Sequence, residues 1–351
     1  MKVLSLFDGI SCARVALGRA GIHVDTYYAS EIDKYAIEIA KKNYKSTVHL
    51  GDVTEVKATD LPSIDLLVGG SPCQDLSIAK KNRKGLAGQR SGLFYEYLRI
   101  LKETKPKYFI LENVASMPKE AKQQITELMG VEPIMINANL VSAQNRKRLF
   151  WTNIPNVQLP EDKGIYLKDI IHENTDGADV GKYIVLDKHG VKEKLKSHTV
   201  RSSGRGSGIM DKHNWDSIRI GHMNKGGQGD RVYSIEGKGV CLSANGGGRG
   251  AKTGLYAFPV ALRNRGDGKK PEYNKTGRAN ALTTVQTDSM VDVEHEYVRK
   301  LTPIECERLQ GLPDNYTEGV SNTQRYRGLG NAFNVDVIVN ILKYIKTNDN
   351  Y

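Results

Sequence analysis

The chain is poor in cysteine. Four residues in 351, Cys12, Cys73, Cys241 and Cys306, are scattered without paired spacing. That excludes a disulfide framework and a cysteine zinc site, and no metal is expected. No apolar run is long enough to span a bilayer. No basic stretch followed by an apolar one opens the chain, so no signal peptide is expected. Two nucleotide signatures are missing as well. There is no G-x-G-x-x-G, which disfavours a dinucleotide, and no G-x-x-x-x-G-K-[ST], which disfavours an NTPase phosphate loop. Acidic side chains are in deficit, 40 against 51 Lys and Arg, for a formal charge of +11. These absences describe an intracellular, reduced protein with an anionic partner.

The basic excess is localised. Residues 181–300 hold 22 Lys/Arg against 12 Asp/Glu, and 19 of the 35 glycines. A basic, glycine-rich segment of this kind reads as loops and short strands facing nucleic acid. Arg231-Val232-Tyr233-Ser234 and Val240-Cys241-Leu242-Ser243 read as strands joined by glycine turns. A weak repeat relates Asn224, Gly226, Gly237 and Leu242 to Asn264, Gly266, Gly277 and Leu282. The length suits two domains, and a hydrophobic content of 39% suits a globular chain.

The first third has another texture. Strands are predicted at Val3–Phe7, Thr26–Ala29, Val48–Leu50, Ile64–Val68 and Lys107–Leu111. Helices are predicted at Cys12–Ala20, Asp33–Asn43 and Gly92–Glu103. Alternation of this kind predicts an α/β fold with a parallel, doubly wound sheet. Asp8-Gly9, Glu31, Asp52, Cys73 and Glu112 each follow the carboxyl end of a predicted strand, the edge where such sheets bind ligands. Gly9 permits close backbone approach to a ligand. Glu31, 22 residues further on, stands where a carboxylate accepts from a ribose, and Asp52 can accept from an adenine amine. An adenosine cofactor without a pyrophosphate fits this set, and S-adenosylmethionine is the obvious candidate.

The motifs in chain order are Phe7-Asp8-Gly9, Ser71-Pro72-Cys73-Gln74, Glu112-Asn113-Val114, Gln144-Asn145-Arg146-Lys147-Arg148, Arg299–Gly311 and Gly330-Asn331-Ala332-Phe333. With this set around a variable basic insert, the chain resembles the DNA cytosine-C5 methyltransferases over essentially its whole length. The N-terminal half is most similar to the de novo branch of the animal enzymes. The compact length suits a bacterial or phage protein, cytoplasmic in a bacterium or an infected host cell. Three positions depart from common family usage: Ser11 in the first loop, Ile32 after Glu31, and Ala332 in the last motif.

The resemblance implies a Rossmann-like S-adenosylmethionine fold in residues 1–154, a β- and loop-rich target-recognition domain in 155–296, and a return segment in 297–351 whose last helix packs on the first domain beside the cofactor. It implies that Cys73 attacks C6 of a flipped cytosine and that Glu112 holds the pyrimidine. Arg146 and Arg148 would lie near the base and sugar-phosphate. Cofactor contacts fall to Phe7, Asp8, Gly9, Glu31, Ile32, Asp52, Val53, Pro72, Leu93 and Asn331, and S-adenosylhomocysteine is the product. Contacts to double-stranded DNA fall to Gln74, Ser77, Arg83, Asn113, Gln144, Arg201, Arg231 and Arg249, with Ser77–Arg90 closing over the duplex. A monomer is expected, as is a possible cognate restriction endonuclease partner in a restriction-modification system. An adenine- or cytosine-N4 methyltransferase would carry an Asp/Asn/Ser-Pro-Pro-aromatic motif, which is missing. A cysteine hydrolase would need a histidine partner. A tRNA cytosine-C5 methyltransferase or a catalytically silent relative stays open.

Overall fold

A computed structural model describes residues 1–72, 92–171, 217, 219–222, 231–235, 237–244, 253–264, 269–273, 291–299 and 301–345. The chain opens with β1 (Lys2–Leu6), α1 (Cys12–Arg19), β2 (Thr26–Ser30), α2 (Lys34–Asn43) and β3 (Val48–Gly51). Next come β4 (Leu66–Gly70), α3 (Leu93–Thr104), β5 (Tyr108–Val114), α4 (Lys119–Met129), β6 (Ile134–Asn137) and β7 (Lys147–Thr152). These seven strands form one sheet in the order β3-β2-β1-β4-β5-β7-β6. The neighbours from β3 to β5 are parallel, whereas β7 runs antiparallel to both β5 and β6. The five predicted strands are thus parallel, as expected, and the unpredicted β7 makes the whole sheet mixed. The strand order reverses between β1 and β4, which opens a crevice at their carboxyl ends.

Strands β1, β4 and β5 each serve two cores because successive side chains point to opposite faces. Val3, Leu66, Val68 and Ile110 join a cluster with residues of α1 and α2, while Leu4, Leu6, Leu67 and Leu111 join one with α3 and α4. Burial of both faces explains why β4 reads as the unbroken run Leu66-Leu67-Val68 rather than as an alternation.

A second sheet comprises β8 (Arg219–His222), β9 (Arg231–Ser234), β10 (Leu255–Asn264), β11 (Lys269–Tyr273) and β12 (Val291–Arg299). β12 runs across the boundary expected at 296/297. The predicted strand at 231–234 is present, but 240–243 is not a strand. Its neighbour Gly239 instead donates to Ala143 O at 2.6 Å and accepts from Asn145 N at 2.8 Å, and Val240 N donates to the Tyr256 hydroxyl. The Gly239 bonds tie 237–244 to the stretch leading into β7, and the Val240 bond ties it to β10. Of the repeat, Asn224, Gly226, Gly266, Gly277 and Leu282 lie outside the described residues.

The chain then returns through α5 (Pro303–Leu309), α6 (Asn322–Asn331) and α7 (Val335–Leu342). Thr302 caps α5 in a reciprocal box with Glu305, and Pro303 sits in the first turn, where its missing N–H costs nothing. Glu307 is wholly buried yet satisfied, accepting from Asn315 N, Thr317 N and Arg325 Nη2. This charge-assisted knot holds α5 against α6. The apolar stripe of α7 packs on α1 in the first cluster, with Arg19 and Asp336 paired at 3.2 Å alongside.

Candidate active site

The turn after β1 is built for close approach. Phe7, Gly9 and Ser11 all have positive φ, near 60°, a conformation that costs a non-glycine residue energy. Asp8 holds it. Its buried carboxyl accepts from the Ser11 hydroxyl at 2.5 Å and from the Tyr27 hydroxyl at 2.7 Å. Burial pushes the Asp8 pKa up, while those hydrogen bonds, one from Ser5 and Arg14 partly offset it. Asp8 thus borders the cleft but spends both oxygens inside the turn.

A cleft of about 360 Å³ opens over the switch point. Its walls include Phe7, Asp8, Gly9, Glu31, Ile32, Asp52, Val53, Pro72, Leu93, Glu112, Arg146, Arg148 and Asn331. Glu31 accepts from Gly9 N at 2.8 Å with one oxygen and from Ile32 N and Asp33 N at 2.9 Å with the other. Those bonds lock its rotamer and leave lone pairs for a ligand. Asp52 accepts from Thr54 through one oxygen. Ile32 is 71% exposed, an unusual setting for a large apolar side chain beside a cleft. Val53, across the cleft, is buried.

Glu112 lies inside β5 rather than after it, a correction to the predicted strand end. Its partner is Arg148, Nε to Oε1 at 2.7 Å, with both side chains largely sheltered. Register explains the meeting. Glu112 stands opposite Phe150 and Val114 opposite Arg148, so Glu112 and Arg148 are diagonal neighbours on one face.

A model described as C-5 cytosine-specific DNA methylase matches residues 1–347. The chain belongs to this family. It is 29% identical over 369 residues to the Type II methyltransferase M.HhaI of Haemophilus parahaemolyticus, covering 99% of this chain and 94% of that protein. It is 26% identical to the orphan methyltransferase M.SPRI of Bacillus phage SPR, covering 98% and 97%. Among solved structures, Entamoeba histolytica methyltransferase EhMeth has a TM-score of 0.62 at 16% identity, covering 98% of this chain and 97% of its own. Dnmt2 of S. pombe has 0.60 at 18%, covering 98% and 97%. C-5 cytosine-specific DNA methylases move a methyl group from S-adenosylmethionine to C5 of cytosine in DNA.

Within this methylase several expected site residues have other surroundings. Asn113 is buried on the face opposite Glu112 and donates to Ser71 O and Oγ, so it secures the turn before position 73 rather than facing the cleft. Gln144 is fully buried, with no partner for either amide atom among the described residues, and does not line the cleft. Arg146 reaches the cleft but is 4% exposed. Its guanidinium donates to Ala332 O at 2.8 Å, Gly330 O at 3.3 Å, Leu242 O at 3.5 Å and Cys241 Sγ at 3.4 Å. It is a clamp joining three stretches of chain, with no nitrogen turned to a sugar-phosphate in this arrangement. Burial, helped by Arg148, lowers the Arg146 pKa. Arg231 is half-buried on β9, away from the cleft lining. Cys73, Gln74, Ser77, Arg83, Arg201 and Arg249 lie outside the described residues.

The sequence reading missed three cleft residues and one thiol beside Arg146. A side chain at Gly70 would displace the cleft wall, since a Cβ there would lie 2.7 Å from Phe333 Cε1 and 3.0 Å from Glu112 Oε2. Phe333 forms the wall beside Glu112, and its place in the last motif was the available signal. Arg327 of α6 lines the cleft while paired with Asp33 at 3.0 Å. Cys241 is an exposed residue whose thiol is crowded by neighbours. Burial would push that thiol up, but the Arg146 and Arg148 guanidiniums beside it prevail and hold it below the ordinary range. No helix among the described residues is long and apolar enough to cross a membrane, and they contain no metal-ligating cluster.

Proposed function

We propose that this chain is an active methylase whose nucleophile is Cys73 and whose substrate-holding acid is Glu112. The observation that carries the proposal is the Glu112–Arg148 pair set in the same cleft as Pro72, the residue before Cys73, and as Glu31 and Asp52. The groups suit an adenosine. Glu31 offers a fixed carboxylate to ribose hydroxyls, Asp52 offers an acceptor to the adenine amine, and Ile32 and Val53 offer apolar faces to the ring. S-adenosylmethionine supplies a methyl group on a sulfonium, and the cleft leads from those residues to Glu112.

At the other end, the Cys73 thiolate bonds to C6 of cytosine, and the C5–C6 double-bond electrons become available at C5. Glu112 accepts from the exocyclic amine and shares a proton, taken up from solvent, with N3, which neutralises charge on the ring as the thiolate adds. Arg148 keeps the carboxylate aimed. After C5 takes the methyl group, loss of the C5 proton restores the double bond and expels Cys73. The cytosine must leave the duplex to reach this cleft, at a cost of a few kcal/mol. Residues 155–296 form the recognition region in this reading, with arginines such as Arg201, Arg231 and Arg249 toward DNA. The protein acts as a monomer in the cytoplasm of a bacterium or infected cell, alone or beside a restriction endonuclease.

DNA containing 5-fluorocytosine tests the chemistry, because fluorine at C5 blocks the last step. With S-adenosylmethionine present the wild type should form a covalent complex stable to denaturation. Complex formation by Cys73→Ala at the wild-type rate would overturn the assignment.

A further inference from the structure

Arg146 leaves one donor unaccounted for. Four contacts occupy Nη1 and Nη2, yet Nε has no partner among the described residues although the side chain is buried. Buried donors are almost always paired, and an orphan is destabilising. A small recess of about 10 Å³ adjoins the cleft, sharing Glu112, Arg146, Arg148 and Phe333 with it and reaching Asn334 and Val337. That volume suits one water molecule and nothing larger, since a water needs roughly 10–15 Å³ and two to four polar partners.

We infer that this cavity holds a single ordered water that accepts from Arg146 Nε and donates to the Glu112 carboxylate. The inference rests on the proposed role of Glu112. The walls leave few other arrangements. Asn334 is committed, donating to Leu309 O at 2.9 Å and accepting from Val337 N at 3.2 Å. Arg148 Nε already serves Glu112 Oε1. The carboxylate is then held by one arginine directly and by a second through water, which fixes its rotamer before cytosine arrives. A bridging water is enthalpically close to a direct hydrogen bond, and the entropy of holding it is modest. Arg146 becomes a positioning residue, tying the order of 241–242 and 330–332 to the aim of Glu112.

A high-resolution crystal structure of the wild type with S-adenosylhomocysteine tests the site. The expected result is one water within hydrogen-bond distance of both Arg146 Nε and a Glu112 oxygen. Empty density, or a water that meets only one of them, overturns the inference. Val337→Ile adds a methylene to the cavity wall. Where the water is displaced, kcat should fall by up to about a hundredfold with KM for S-adenosylmethionine unchanged. Unchanged kcat with the water displaced overturns the positioning role. Should Val337→Ile not fold, the wild-type density still decides. Cys73-dependent trapping by the wild type is the control: its failure removes the proposed catalytic roles, whereas a missing water with trapping intact removes only this inference.

Discussion

Arg146→Met tests the clamp directly. Methionine preserves a long apolar stem and removes every donor. The Ala332 and Gly330 carbonyls lose a charged partner at 2.8 and 3.3 Å, and the longer contacts to Leu242 O and Cys241 Sγ go with them. Each orphaned acceptor costs about 1–3 kcal/mol, so the two shorter bonds set a loss of roughly 2–6 kcal/mol. In the other direction, a guanidinium that burial already disfavours no longer has to be desolvated. The net expectation is about 3 kcal/mol. Urea denaturation should show a lower midpoint at unchanged slope. DNA affinity measured below the transition should change little. Wild-type stability combined with a large loss of DNA affinity would refute the reasoning and return Arg146 to the sugar-phosphate role that its motif suggests.

Gly330→Ala should destabilise the fold, because the new Cβ meets backbone, 2.4 Å from Ala244 N, and overpacking against backbone costs about 1–3 kcal/mol or more; an unchanged melting temperature contradicts this. Gly70→Ala meets side chains instead and should fold normally while losing methyl transfer, read by tritium incorporation. Asp8→Asn should alter pH dependence. The folded pKa of Asp8 is raised, so its contribution is present below the unfolded value near 3.8 and is lost as pH rises through the folded value. The wild type should therefore lose stability relative to Asp8→Asn between acid and neutral pH, and parallel curves would count against it. In a Cys73→Ala background, alkylation of Cys241 by iodoacetamide should have its midpoint below that of the same thiol in the urea-unfolded chain; mass spectrometry reads both, and a folded midpoint at or above the unfolded one removes the influence of Arg146 and Arg148.

Strands β1 to β5 were legible because each is a short apolar run closed by a turn signal, and the polar residues after them marked the ligand edge. Glu31 and Asp52 were legible for that reason. β7 was not, since Lys147-Arg148 opens it with charge and its motif drew attention to chemistry instead. Alternation alone does not say whether a strand runs parallel or antiparallel, so the reversed β7 needed the structure. α6 reads poorly as a helix: Asn322-Thr-Gln-Arg-Tyr-Arg-Gly-Leu-Gly-Asn331 has two glycines and little apolar periodicity. Its support is tertiary, from Arg325 on Glu307 and Gln310 Nε2 on Leu329 O at 2.6 Å. Val240–Ser243 shows the converse, a strand-like sequence whose neighbours offer bonds elsewhere.

The division between Glu112 and Asn113 shows how little separates chemistry from scaffold here. Both are polar, adjacent and on β5, and motif reasoning assigned both to substrate. The pleat sends one to the cleft and the other to Ser71. The same period of two carries Arg148 to the face of Glu112 through the pairing of Val114 with Arg148. A one-residue slip of β7 against β5 would turn Arg148 to the buried face and leave Glu112 without its cation. Register is pinned by bonds that do no chemistry: Thr152 Oγ1 to Phe109 O at 2.6 Å, Phe109 N to Asn153 Oδ1 at 2.9 Å, and the Trp151 indole to Thr126 Oγ1 at 3.0 Å. Trp151→Phe removes that last anchor and leaves part of the buried indole volume empty. If register holds the acid in place, the variant should lose about 1 kcal/mol for the hydrogen bond plus the cost of that cavity, with turnover falling no further than stability, because two anchors remain. A loss of turnover far larger than the loss of stability would show that β7 shifts as a unit and that the aim of Glu112 depends on it.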